Sequence, residues 1–387
     1  MKTTYKCPLA WSHLEVDVTG KVRQCCRFPD YITDSSGEYF NLKNDHIGDI
    51  ITSEYSNDVR ARMVSGAYLP ECEKCMVEER NGIESRRVTE IKHRPDFDYN
   101  NEPSIESLDI KLGNYCNLKC VVCNAYSSDK VLTEQITLGW FPTLSEEQYK
   151  DFKWYTVSPL WDDIIENKSI KHIDFMGGEP FIVKEHFKFL DRMIANDMAK
   201  SVSLNYVTNA TFVQEKLLDD VLSQFDSVNF TLSSDGSYAA YEYCRYPANW
   251  DTFTTNVDKI LSRDFNYVGV CYSVSMYSVW DLCRSLDYYK DKGIPVWLNI
   301  VYNDEYHIRN LPDELKDKLI DKLSSEWKDE YTSFVTGGGV DSLTNLLRES
   351  RVEEHWNLFV SRTKQRDSIR NNNVVDIIPE YKEYFNE

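Results

Sequence analysis

The 387-residue sequence predicts an α/β protein: a partial (β/α)6 barrel of the TIM type, with a small N-terminal cysteine-rich α+β module and a C-terminal helical tail. Three observations predict it. From about residue 105, runs rich in β-branched and aromatic residues alternate six times with helical stretches, which implies a parallel sheet with right-handed crossovers. Five of the eleven cysteines lie in the first 75 residues, ahead of that repeat. Beyond Tyr302 the pattern is helical.

The elements follow in chain order. Asn57–Gly66 (NDVRARMVSG) reads as a helix stopped by Gly66. Gly20 suits a hairpin turn between two short strands. His93–Ser104, with Arg94-Pro95 and Glu102-Pro103, reads as a linker. Strands are expected at Ser107–Leu112, Ile170–Phe175, Val202–Thr208, Ser227–Leu232, Val268–Val274 and Val296–Val301. Helices fit between them at Glu185–Ala195, Phe212–Gln224, Thr252–Ser262 and Val279–Lys290. The first crossover, Thr133 to Ile165, carries Trp140, Trp154 and Trp161 and is read as an elaborated helical layer, with a lid as the alternative. The tail is expected as helices at Asp313–Leu323, Asp341–Glu349 and Glu353–Arg370, with a hinge-like break at Thr336 to Gly339. The domain boundaries implied are 1–100, 101–305 and 306–387.

Composition narrows the function. Lys+Arg 44 against Asp+Glu 63 gives a net charge of −19, and so acidic a surface disfavours general binding to nucleic-acid backbones. No run of about 18 apolar residues predicts a membrane span, and Met1 to Trp11 lacks a signal-peptide core. A cytoplasmic location is expected, and clustered thiols there suggest metal or redox chemistry rather than disulfides. Cys244, Cys271 and Cys283 are scattered and are assigned to packing.

Directly after the first barrel strand comes Gly113-Asn114-Tyr115-Cys116-Asn117-Leu118-Lys119-Cys120-Val121-Val122-Cys123. Cysteines spaced x3 and then x2 on one loop can wrap a cubane cluster. Three thiolates for four irons leave one iron open, and an open position is where a catalytic metal site takes its ligand. A structural zinc or a closed cluster is the alternative. One unit later the second strand ends in Met176-Gly177-Gly178-Glu179-Pro180. Glycines there allow close backbone approach.

This pairing resembles the radical S-adenosylmethionine (SAM) superfamily, whose signature is the Cys-x3-Cys-x2-Cys loop. The resemblance implies that Cys116, Cys120 and Cys123 hold a 4Fe–4S cluster whose open iron is chelated by SAM. Reduction then cleaves SAM to a 5′-deoxyadenosyl radical that abstracts a substrate hydrogen. It further implies that Gly177, Gly178, Glu179 and Pro180 contact the SAM amino group. Thr208-Asn209 and the Ser233 and Asp235 of Ser233-Ser234-Asp235-Gly236 line up with family segments at strand ends, and Ser233 and Asp235 are candidates for the ribose or carboxylate. Val122 stands where many members carry an aromatic residue against adenine; Tyr115 or Tyr126 is a candidate to compensate.

The N-terminal cysteines, Cys7, Cys25-Cys26 and Cys72-Glu73-Lys74-Cys75, are similar in spacing to the start of the family's SPASM and twitch modules, which usually follow the barrel rather than precede it. That similarity implies a second, auxiliary 4Fe–4S cluster on Cys7, Cys25, Cys72 and Cys75, with Cys26 as the alternate and a four-cysteine zinc site as the rival. It also implies an external electron donor such as a flavodoxin or ferredoxin. Arg86, Arg87 and Arg245 are read as solvated surface residues, with a grip on an anionic substrate as the alternative. The function expected is radical chemistry on an unidentified substrate, with a peptide slightly favoured over a small metabolite or nucleotide. A non-catalytic iron–sulfur or zinc protein is the reading from another class.

Overall fold

The computed structural model describes residues 5–80 and 84–385. The chain packs as two compact units: Met1–Tyr115, Leu144–Tyr206 and Lys216–Val228 in the first, and Cys116–Thr143, Val207–Glu215 and Asn229–Glu387 in the second. This grouping runs differently from the boundaries 1–100, 101–305 and 306–387, because strand pairing gathers residues irrespective of their order in the chain.

In the first unit, β1 (His13–Val16) and β2 (Val22–Arg23) form the expected hairpin, paired Glu15↔Arg23 and Val16↔Val22. Gly20 turns it at φ +86°, and a Cβ there would sit 2.5 Å from Asn41 Oδ1 and 2.8 Å from Trp154 Cγ, so only glycine fits. Asp17 Oδ1 accepts hydrogen bonds from the Thr19 (2.7 Å) and Lys21 (3.1 Å) backbone N–H groups and fixes the turn. β1 then pairs in parallel with β3 (Ser107–Lys111), β3 with β4 (His172–Met176), and β4 with β5 (Ser203–Thr208). The cysteine-rich module thus contributes its own strand to the parallel sheet. Along these strands Leu14, Leu108, Ile110, Ile173, Phe175, Leu204 and Tyr206 are fully buried. The alternate positions form a polar row in register, Glu15, Asp109, Asp174 and Asn205.

Helix Glu54–Ser65 begins one turn before the predicted start, where the Ser53 hydroxyl accepts from Ser56 N–H (3.2 Å), and it ends at left-handed Gly66. Lys184–Ala195 is the predicted helix after β4. The helix expected over Phe212–Gln224 is instead a π-turn (Leu217–Val221) followed by a 3-10 turn (Leu222–Gln224), in which Leu217, Leu218 and Leu222 are all buried. In the long crossover, Trp154 and Trp161 stack at 6.4 Å within the core of this unit, in keeping with a helical layer.

In the second unit β6 (Ser227–Ser234), β7 (Tyr267–Val274) and β8 (Val296–Ile300) pair in parallel. Each of the six predicted barrel strands therefore lies within two residues of its observed bounds, and the fold is mixed α/β with predominantly parallel strands. The predicted tail helices are Asp313–Glu326, Val340–Leu347 and Glu353–Arg370. The break expected over Thr336 to Gly339 begins one residue later: Val335–Thr336 is a strand, β9, paired in parallel with β8, and 337–339 carry neither helix nor strand. Gly337 follows at φ +79°, with room for no Cβ against the Trp297 ring 2.4 Å away. Among the described residues no helix is long and apolar enough to cross a membrane.

Candidate metal centres

The first candidate centre belongs to the first unit. Cys7, Cys25, Cys72 and Cys75 line one small cavity, together with Leu9, Phe28 and Met63. Local structure brings them there. The hairpin returns the chain toward Cys7, and Cys72 closes a 3-10 turn (Pro70–Cys72) that runs into helix Glu73–Arg80. Cys75 lies three residues on, where the helical repeat places it on the same face. Cys7 and Cys75 belong to an apolar cluster with Leu9, Trp11, Phe28 and Met63, and Cys25 and Cys72 pack against it. Burial pushes the Cys72 thiol up to about 12, and Cys25 and Cys75 beside it push the same way. Burial likewise takes Cys25 to about 12 and raises Cys7, whose second influence is Cys25. Four apolar-walled thiols that repel one another's ionised forms suit a cationic iron–sulfur core, which stabilises thiolates.

Cys26 points elsewhere. Its exposed sulfur accepts a hydrogen bond from Arg86 Nη1 at 2.9 Å, and the same nitrogen donates to Asp109 Oδ2 at 2.9 Å. His13 Nε2 lies 3.5 Å from that carboxylate oxygen. Burial alone would raise the Asp109 carboxyl, yet His13 and Arg86 outweigh it and hold it well below the usual range. Arg87 is buried and paired with Glu79. The surface reading of Arg86 and Arg87 is thereby corrected, since both are fixed by carboxylates.

In the same unit the Gly177-Gly178-Glu179-Pro180 turn is clamped to the segment before Cys116. Gly178 N–H donates to Gly113 O (3.0 Å) and Glu179 N–H to Tyr115 O (2.8 Å). A Cβ on Gly178 would come 2.1 Å from Tyr115 O, and Gly177 takes φ +94°. Close backbone approach is thus the reason for both glycines, as the sequence suggested, and the neighbour is the chain itself. Glu179 is buried, and its Oε1 accepts from Phe181 N–H at 3.1 Å, capping the 3-10 turn that begins at Pro180. Tyr115 is 48% exposed.

The three-cysteine loop belongs to the second unit. Cys116 N–H donates to Asp129 Oδ1 (3.0 Å), and the Ser128 hydroxyl donates to Leu118 O (2.7 Å), so the start of helix Asp129–Thr137 holds the loop. Asn209 Nδ2 donates to Asn117 Oδ1 (2.9 Å) and approaches Cys116 Sγ at 4.0 Å; Asn117 Nδ2 donates to Thr211 Oγ1 (2.8 Å). Burial raises the Cys123 thiol, and Cys120 and Cys116 raise it further, which places the three sulfurs in one another's field. Val122 is half-buried, while Thr208 is buried and spends its hydroxyl on Ala210 N–H at 3.1 Å.

At the end of β6, Ser233 is half-buried and Asp235 is buried. Asp235 Oδ2 accepts from Arg245 Nη1 at 2.8 Å, and Arg245 is itself only 8% exposed. The surface reading of Arg245 is therefore corrected too. Burial works against its charge, but Cys120 and Asp235 hold its pKa well above the ordinary value. Two further residues escaped the sequence. Arg370 donates to Lys119 O (2.6 Å) and to both oxygens of Glu134 (3.0 and 2.6 Å), partners 251 and 236 positions away with no local signal. Cys244 and Cys283 are buried as expected; Cys271 is half-buried and within the field of Asp235 and Arg245.

Residues 7–76 match the family model of SPASM, an iron–sulfur cluster-binding domain. No curated protein matches this sequence. Similar solved structures include native anSMEcpe with bound AdoMet (that is, SAM), at TM-score 0.42 and 16% identity over 59% of this chain. This chain spans 62% of that one. Streptococcus suis SuiB bound to S-adenosylmethionine matches at TM-score 0.36 and 12% identity over 80% of this chain and 68% of its own. SuiB bound to precursor peptide SuiA matches at TM-score 0.37 and 13% identity, over 82% and 71%. Residues 7–76, which hold Cys7, Cys25, Cys72 and Cys75, are thus similar to an iron–sulfur cluster-binding domain, and they precede a Cys-x3-Cys-x2-Cys loop at Cys116, Cys120 and Cys123 in a predominantly parallel α/β chain.

Proposed function

We propose that this protein is a radical SAM enzyme acting on a peptide, the class of molecule named with SuiB. One observation carries the reading: three cysteines are spaced x3 and x2 on one loop, and four others line one cavity. Four ligands close a cluster, whereas three leave an iron open to a cofactor. A SAM-loaded 4Fe–4S cluster supplies one-electron cleavage of SAM and hydrogen abstraction. The protein's part is to hold and shield the ligands. Asp129 and Ser128 fix the loop backbone, Asn209 holds the Asn117 side chain, and burial of Cys116 excludes water from its sulfur.

In this reading Cys7, Cys25, Cys72 and Cys75 ligate the auxiliary cluster. SAM contacts are assigned, as the resemblance of the motifs implies, to Tyr115, Val122, Gly177, Gly178, Glu179, Pro180, Thr208, Asn209, Ser233 and Asp235. A flavodoxin- or ferredoxin-type donor in the cytoplasm supplies the electron. The test is direct: purify the protein without oxygen, reconstitute iron and sulfide, add SAM and dithionite, and assay 5′-deoxyadenosine. Formation of 5′-deoxyadenosine that is abolished by alanine at Cys116, Cys120 and Cys123 is expected. A fully loaded protein that makes none refutes the enzyme.

A further inference from the structure

Cys120 and Arg245 face each other by backbone geometry. Lys119 N–H donates to Tyr246 O (2.6 Å), and Val121 N–H donates to Cys244 O (2.8 Å). The neighbours of Cys120 are thus bonded, in opposite chain directions, to the neighbours of Arg245, so the two residues lie opposite one another. Asp235 grips Arg245 Nη1 from the end of β6 at 2.8 Å. Both side chains of this pair are more than nine-tenths buried, and the pair is incompletely satisfied: Arg245 Nε and Asp235 Oδ1 have no hydrogen-bond partner among the described residues. A surplus guanidinium N–H beside a cysteine is a donor available to sulfur.

We propose that Arg245, oriented by Asp235 opposite Cys120, is a positioning residue that makes the cluster on Cys116, Cys120 and Cys123 easier to reduce. The inference rests on the cluster reading above. Reduction adds negative charge to the cluster, and a fixed buried cation stabilises the reduced form more than the oxidised one. Charge and hydrogen bonding around the sulfurs are among the determinants of cluster potential. Asp235 aims the guanidinium through Oδ2 and offsets part of its field, and the side-chain amide of D235N keeps an oxygen for Arg245 Nη1 while removing the offset.

The experiment is a redox titration of reconstituted full-length protein followed by EPR. The loop cluster's signal is identified as the one missing from the protein with alanine at Cys116, Cys120 and Cys123. R245Q is expected to shift the reduced-to-oxidised ratio at fixed potential about tenfold toward oxidised, ~59 mV for one electron. D235N should shift it the other way, and R245K should stay closer to wild type than R245Q. Loaded R245Q and D235N that both keep the wild-type midpoint, or that move in the same direction, overturn the proposal. If R245Q holds no cluster, D235N decides alone: an upward shift supports the proposal, and none or a downward one overturns it. A wild-type signal unaffected by SAM would sink the enzyme reading only, because opposite shifts in the variants would still report the Arg245 charge.

Discussion

His186 is fully buried on helix Lys184–Ala195, with Nε2 2.8 Å from the Tyr206 hydroxyl and the Phe175 ring 4.6 Å away. Burial depresses its pKa from 6.5 to about 3, so the folded protein holds the ring neutral. The unfolded chain protonates near 6.5 and the folded one does not. The stability from neutral His186 is therefore complete above pH 6.5 and is lost as pH falls toward 3, at up to ~1.4 kcal/mol per pH unit. Between pH 6.5 and 5 this group removes about 2 kcal/mol. H186Q should show a correspondingly shallower loss in urea unfolding over that interval; an unchanged slope would reject the assignment. The sequence shows a histidine on a helix, and only its packing against Phe175 and Tyr206 makes it a pH-sensitive residue.

Helix Glu353–Arg370 ends in the groups that brace the cysteine loop. Glu134, Arg366 and Arg370 are each no more than 3% exposed at the side chain, and Arg370 reaches Lys119 O. Truncating a buried pair strands a charge, whereas removing both partners does not. E134A should destabilise the protein by ~3–5 kcal/mol, and E134L/R370M together should cost less than E134A alone, as read from denaturant midpoints. Element by element, the sequence located what short-range pattern encodes: six strands by their β-branched runs, and Glu353–Arg370 to the residue. It lost β9, because two residues before three glycines carry no strand pattern; Val335–Thr336 is a strand only by pairing with β8.

Across the chain, the two thiol sets make separable predictions. Alanine at Cys116, Cys120 and Cys123 should leave about half of the wild-type iron, and alanine at Cys7, Cys25, Cys72 and Cys75 should leave the other half. C26S should retain all of it, because that sulfur is turned to Arg86. Iron and zinc analysis checks this; iron unchanged by the N-terminal substitutions, with zinc lost, would replace the auxiliary cluster by a zinc site. The sequence by itself determined the α/β class and the presence of two cysteine-bearing segments, the loop at Cys116 to Cys123 and the N-terminal region from Cys7 to Cys75, because each is written in local periodicity or in residue chemistry alone. Tertiary structure decided that Cys25 rather than Cys26 faces the cavity, that β1 joins the parallel sheet, and that Arg245 stands opposite Cys120. These depend on pairings between residues tens to hundreds of positions apart, which a linear pattern does not specify and backbone hydrogen bonding and burial do.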